Sequence, residues 1–171
     1  MTLSQDLRGA LARIDGRATT IVGEAEARFS GEPEYISTLI GLVDDAEPMV
    51  QSGATWLLKS AMEKGQELSS AETADILDRL DRISEWSAQL HICQFAESLT
   101  LNDAGARRLA DWLQPLLNHK RPFLRAWSLH ALCALGREFS PVRPRAAAAL
   151  ERASDDASAS VRARARNIKP F

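Results

Sequence analysis

The chain has 171 residues, 45% of them apolar and 26% charged, with alanine, leucine and arginine prominent and a single tyrosine. That balance suits one globular domain with a sizeable core and excludes a strand-rich fold, which would need more β-branched and aromatic residues. The net charge of −2 hides a polarity: residues 1–106 carry 8 Lys/Arg and 18 Asp/Glu, whereas residues 107–171 carry 13 and 5. A basic half of this kind can attract an acidic partner, and opposed halves would also suit end-to-end stacking of copies. Asp6 and Arg8 interrupt the start, so no secretory signal is read there. No run approaches the roughly 18 apolar residues of a membrane span. Cys93 and Cys133 are too few for a disulfide framework and point to a reduced, cytoplasmic setting.

In chain order, residues 1–30 read as helical, with Leu3, Leu7, Leu11 and Ile14 followed by Ile21, Val22 and Phe29. They form no clean copy of the later helix pairs and fit an N-terminal cap on a stack of helices. Ser30-Gly31-Glu32-Pro33 breaks that segment. Residues 34–65 then read as a helix pair, Pro33–Val43 and Glu47–Lys64, with Pro48 in the first turn and Gly65 as C-cap. Residues 70–99 give Ser70–Ile83, with Ser70 as N-cap, and Glu85–Leu99. Residues 103–139 give Asp103–Leu117, capped by Asp103, and Pro122–Phe139, with Gly136 as a C-cap glycine. Residues 140–171 give Ser140–Ala153, with Ser140 as N-cap before Pro141, and Ala159–Ile168. The short link inside each pair predicts antiparallel, contacting helices.

The second helices can be laid over one another. Val50-Gln51-Ser52-Gly53-Ala54, Ala88-Gln89-Leu90-His91-Ile92, Leu124-Arg125-Ala126-Trp127-Ser128 and Val161-Arg162-Ala163-Arg164-Ala165 start 38, 36 and 37 residues apart. Each has an apolar first residue and Gln or Arg second, and Leu42, Leu80, Leu116 or Ala153 stands eight residues earlier. A period of this size predicts an all-α chain of four stacked helix pairs, an α-α superhelix or short solenoid forming one domain over residues 1–171. The pattern of a short Asp-containing turn, then an apolar residue, Arg, and Ala or Leu at helical spacing resembles HEAT and HEAT-like repeats. The fourth copy is the closest, with Asp156 six residues before Arg162; the first keeps Asp45 with Gln51, the third pairs His119 with Arg125, and the second Ile83 with Gln89. The resemblance implies that these charges lock turns and neighbouring units, and that second helices line a concave binding face. HEAT-like families include scaffolds, transport adaptors, phycobilin lyase-like proteins and a group of alkylpurine DNA glycosylases.

Numbered from the apolar first residue, positions 2, 6 and 9 of each second helix should face away from the core. They hold Ser52, Trp56 and Lys59, with Leu90, Gln94 and Ser98 at about the same level in the next copy, then Ala126, His130 and Cys133 or its neighbours, then Ala163 and Asn167. Trp56 and Leu90 are either binding anchors on a wet face or lateral packing against a neighbouring pair. Gln94 and His130 share that face, and Arg125, Arg162 and Arg166 supply cations to it. Arg162, Arg164, Arg166 and Lys169, with Arg143, Arg145 and Arg152, could hold phosphates, and Trp112 and Trp127 could stack on bases. The same residues also suit a polar terminal cap.

His91, His119 and His130 with Cys93 and Cys133 lack any metal-ligand spacing, and no catalytic motif or cofactor loop is found. The dyad Asp111-Trp112 is similar to the acid among aromatics of the glycosylase branch, but it stands on a first helix. The expectation is therefore a non-catalytic scaffold that binds a protein or peptide on its second helices. The alternative is nucleic-acid binding, or glycosylase-like activity, by the basic C-terminal half.

Overall fold

The computed structural model describes residues 2–15, 19–169 and 171. Residues 16–18 of the expected cap and residue 170 of the last pair lie outside it. The fold is all-α: among the described residues there are ten α-helices, two 3₁₀ turns and no strand. None of these helices is long and apolar enough to cross a membrane. The chain divides into two compact units, residues 1–92 and 93–171. Divided there, the first unit carries 8 Lys/Arg against 16 Asp/Glu, net −8, and the second 13 against 7, net +6.

The first unit contains α1 (Leu3–Leu11), α2 (Thr19–Phe29), α3 (Tyr35–Leu42), α4 (Pro48–Glu63), α5 (Ser70–Arg79) with a 3₁₀ turn at Leu80–Arg82, and the start of α6 (Trp86–Phe95). Thr2 and Gln5 form a capping box on α1. Leu7, Leu11, Leu39, Ile40, Leu57 and Leu58 are fully buried and make the core. α1 lies close against α4 because Gly53 has no side chain; a Cβ there would stand 2.7 Å from Ile14 Cδ1 and 2.8 Å from Leu11 Cδ2. Gly65 ends α4 with φ at +98°, a left-handed conformation that favours glycine. Its N–H donates to Met62 O at 3.0 Å and that of Gln66 to Ala61 O at 3.0 Å, the double closure of a Schellman end.

The second unit contains the end of α6 with a 3₁₀ turn at Ala96–Ser98, then α7 (Asp103–Leu116), α8 (Pro122–Glu138), α9 (Arg143–Ala153) and α10 (Ala159–Asn167). α8 is its hub, packed against α7, α9, α10 and the 3₁₀ turn. Leu109, Leu113 and Leu124 are fully buried there.

Four local readings are corrected. The N-cap of α5 is Ser69, not Ser70: its Oγ accepts from Glu72 N at 3.2 Å while the Glu72 carboxylate accepts from Ser69 N at 2.8 Å. Only Ser69 stands three residues before a glutamate, as the reciprocal bond requires. α7 is capped by Asn102, whose Oδ1 accepts from Gly105 N at 2.8 Å; Asp103 is the first helical residue. α9 starts at Arg143, because Val142 N donates to Phe139 O and closes a turn around Ser140-Pro141. Gly136 is no C-cap. It lies inside α8, where a Cβ would meet Ala146 Cβ at 2.6 Å, so its role is to let α9 approach.

Candidate functional site

The second residue of each aligned segment makes the same bond. Gln51 Nε2 donates to Asp45 O at 2.8 Å, Gln89 Nε2 to Ile83 O at 3.0 Å, Arg125 Nη1 to His119 O at 2.9 Å and Arg162 Nη1 to Asp156 O at 2.7 Å. In every copy a long side chain on the second helix reaches back six residues and fastens the turn before it. The bond needs a donor with reach, which amide and guanidinium both provide.

Two of these residues also tie one pair to the next. Gln51 donates to Arg82 O at 3.3 Å and accepts from Ser84 N and Glu85 N at 3.0 and 3.1 Å. Arg125 holds Asp156 with two bonds, of 3.0 and 2.8 Å. Arg8 grips Asp45 in the same bidentate way, at 2.7 and 2.9 Å. Asp45 and Asp156 each accept a backbone N–H two residues on, from Glu47 and Ser158. Arg125 holds the Asp156 carboxyl below its ordinary range. Burial pushes Asp45 up, but Arg8 and the backbone bond outweigh it and hold that carboxyl low as well. Arg125 and Arg162, expected at a binding surface, are thus engaged in holding turns.

The outward face differs between helices. In α4, Trp56 is partly exposed as expected, with Ser52 and Lys59. In α6, Gln94 is partly exposed but Leu90 is 7% exposed, so it packs inside rather than offering an anchor. In α8 the face is turned by about one residue: Ala126 and Cys133 are buried, while Phe123, Trp127, His130 and Arg137 are open to different degrees. The cause is contact on several sides, which moves the buried arc of α8 away from its ideal phase.

That face of α8 gathers the densest chemistry of the second unit. Phe123 is 53% exposed, the more exposed of the two open large apolar residues among those described. Trp127 and His130 meet edge to face, with ring centroids 5.3 Å apart. Arg164 of α10 lies over the indole at 4.3 Å, a cation–π contact. His130 Nε2 pairs with Glu97 Oε1 at 2.6 Å. The indole N–H of Trp127 is shut off from solvent with no acceptor among the described residues. Toward the end of α8 the face opens into a cavity of about 350 Å³, with Leu99, Leu101, Ala134 and Leu135 in its wall and Glu97, Arg137 and Glu138 at its polar edge. Arg166, on α10, is exposed.

Spacing in the sequence places His130 in this group and offers Trp127 and Arg164 only as possible nucleic-acid contacts. It does not bring out Phe123, Glu97 or the cavity. The signal was present: residues 123, 127, 130, 134 and 137 follow helical spacing on one face.

The first unit has a different inventory. His91 is largely buried; its Nδ1 lies 3.0 Å from the hydroxyl of Thr55, which also donates to the Gln51 carbonyl at 2.9 Å. Burial, then the charge of Lys59, bring its pKa down to about 4, against a backbone hydrogen bond to Ser52 that raises it. A cavity of about 480 Å³ is lined by Glu26, Glu32, Tyr35, Ile36, Lys64 and their neighbours. The Tyr35 hydroxyl is buried without a partner among the described residues, and burial raises its pKa to about 12.

Among the described residues no three of His, Cys, Asp and Glu gather as a metal would require. Both cysteines are buried free thiols, and burial pushes both pKa values up, that of Cys133 to about 11, which disfavours the nucleophilic thiolate. Asp111 and Trp112 do not act together: Asp111 is exposed and pairs with Arg145 at 2.6 Å, whereas Trp112 is 7% exposed within the core. No family model, curated protein or solved structure matches the chain.

Proposed function

We propose that the chain is a non-catalytic protein- or peptide-binding module of HEAT-like helical repeats, and that its binding surface is the outward face of α8. The observation that carries this is the cluster of Phe123, Trp127, His130 and Arg164 on one open face, beside a cavity edged by Glu97, Arg137 and Glu138. Aromatic and arginine side chains clustered on an open face are the usual anchors of protein interfaces. Nucleic acid is the weaker reading, because several arginines that would meet phosphates are spent on protein acceptors. Arg125 is tied to Asp156, Arg145 to Asp111, Arg143 to the Gly136 carbonyl and Arg162 to the Asp156 carbonyl.

The test is selection of random peptides displayed on phage against the immobilised full chain. Peptides should be enriched whose binding is lost in Trp127→Ala and kept in Trp56→Ala. If none is enriched, or if enriched peptides bind Trp127→Ala as well as the parent, the α8 face is not the binding surface.

A further inference from the structure

We infer that the outer side of the α9–α10 pair is an interface, and that its occupant is the acidic first unit of a second copy of the chain. The observations behind it are separate from those on the α8 face.

The pairs α7–α8 and α9–α10 correspond at a spacing of 37 residues, Leu116 with Ala153 and Leu124 with Val161. In the first of them Ala110, Leu113, Ala126 and Leu129 are buried. Their counterparts one pair on are Ala147, Leu150, Ala163 and Arg166. Ala147 and Arg166 are exposed, and Leu150 and Ala163 partly so. α8 is covered by α9 and α10, and the places that such cover closes stand open on α9–α10. Three of the four keep the apolar type that burial against a neighbour needs, and the fourth has exchanged leucine for a cation.

A bond stands open as well. Arg125 and Arg162 correspond, and each fastens its own turn through Nη1. Arg125 spends Nε and Nη2 on the Asp156 carboxylate of the following turn. Both bonds of Arg162, to Asp156 O at 2.7 Å and Ala157 O at 3.0 Å, leave from Nη1, so its Nε and Nη2 have no acceptor among the described residues. That edge is the one that holds a carboxylate one pair earlier, and none of residues 163–171 is acidic.

Charge selects the occupant. Residues 143–169 carry 7 Lys/Arg and 3 Asp/Glu, net +4, and Asp156 is already paired. Two such faces repel each other, whereas the first unit is net −8. The copies therefore meet head to tail rather than through the same face. Small side chains at 147 and 163 let a helix approach, and the cations at 162 and 166 favour an acidic one.

The experiment is sedimentation velocity of the full chain over a concentration series in low and high salt. Association should grow with concentration and weaken about tenfold or more in high salt. Arg162→Gln keeps a donor for its own turn, as Gln51 and Gln89 do, and gives up the carboxylate-holding edge; it should weaken association about fivefold. Ala147→Glu sets a carboxylate in the open face and should abolish self-association, while Phe123→Ala on the α8 face should leave it unchanged. Circular dichroism establishes that each variant is folded; if Ala147→Glu is not, Arg166→Glu takes its place.

Orientation is read by mixing affinity-tagged Ala147→Glu with untagged parent. The variant keeps its acidic first unit, so it should still capture the parent. A chain that is monomeric at every concentration overturns the inference. So does association that is indifferent to Arg162→Gln and Ala147→Glu. Failure of the tagged variant to capture the parent, when the parent associates with itself, overturns the first unit as the occupant.

Discussion

In the first unit the turns before α4 and α6 are fastened by glutamines, and in the second those before α8 and α10 are fastened by arginines. The geometry is the same in all four, a donor reaching back six residues to a carbonyl. The chemistry is not, and it follows the net charge of each unit, −8 and +6. The repeat therefore needs a long donor at this position, and its charge is free to follow the demands of the surface. The link onward to the next pair shows where that freedom stops. Gln51 uses its carbonyl oxygen to accept two backbone N–H groups, whereas Arg125 uses its remaining donors to hold a carboxylate.

The comparison is broken most severely by exchanging the residues. Gln51→Arg places a charge where the side chain is 3% exposed and removes the acceptor of Ser84 N and Glu85 N. A loss of about 4 kcal/mol in urea unfolding is expected, from orphaned donors and an unpaired buried charge. A loss below about 1 kcal/mol would show that the amide's acceptor role is dispensable.

The next largest effect is acid destabilisation through His91. Its pKa is about 4 in the folded chain against an ordinary 6.5. Between those values the unfolded chain binds a proton that the folded chain does not, so stability rises with pH across that window and is lost on acidification. The full shift amounts to something of order 3 kcal/mol. His119 in the second unit, lowered by burial and then by its basic neighbours, adds in the same direction. The paired Asp45 and Asp156 add losses only below their ordinary 3.8. Urea midpoints at pH 7 and 4.5 should differ strongly for the parent and much less for His91→Gln; equal slopes in both would remove His91 as the cause.

Smaller is the contrast between two close-approach glycines. At Gly136 an added methyl meets Ala146 Cβ, which cannot swing aside, while at Gly53 it meets the far ends of Leu11 and Ile14. Gly136→Ala should cost about 1.5 kcal/mol after the gain in helix propensity, and Gly53→Ala about zero. Thermal midpoints in the reverse order would sink this reading. Smallest is Arg125→Gln, which keeps the bond to the turn and gives up Asp156. The loss should be about 1 kcal/mol, and it should shrink in high salt, whereas that of Gln51→Arg should persist.

Much of the fold was legible in the sequence, because helix existence depends on periodicity and composition, and both are local. The expected spans of α4, α7, α8 and α10 end within a residue or two of the observed ones. The six-residue spacing of Asp156 and Arg162 pointed to the turn-fastening bond, although the copies with glutamine looked degenerate until the amide was seen making it. What was not legible depended on contact. Gly136 reads as a helix end until α9 is placed beside it, and Leu90 reads as exposed until its helix is packed. The candidate face was hidden for the same reason: a turn of α8 by about one residue exchanges Ala126 and Cys133 for Trp127 and Ala134.

The way α8 is held has a consequence for any encounter on its open side. Its back is clamped by α7, α9 and α10, and at Gly136 the missing side chain lets Ala146 of α9 come close to the α8 backbone. Such a helix has little room to bend or rotate, so an arriving ligand meets a surface already in its final shape. Little ordering entropy remains to be lost by the protein, and selectivity has to come from fit rather than from adaptation. Free and occupied forms of α8 should then superimpose, with the adjustment confined to side chains on its rim.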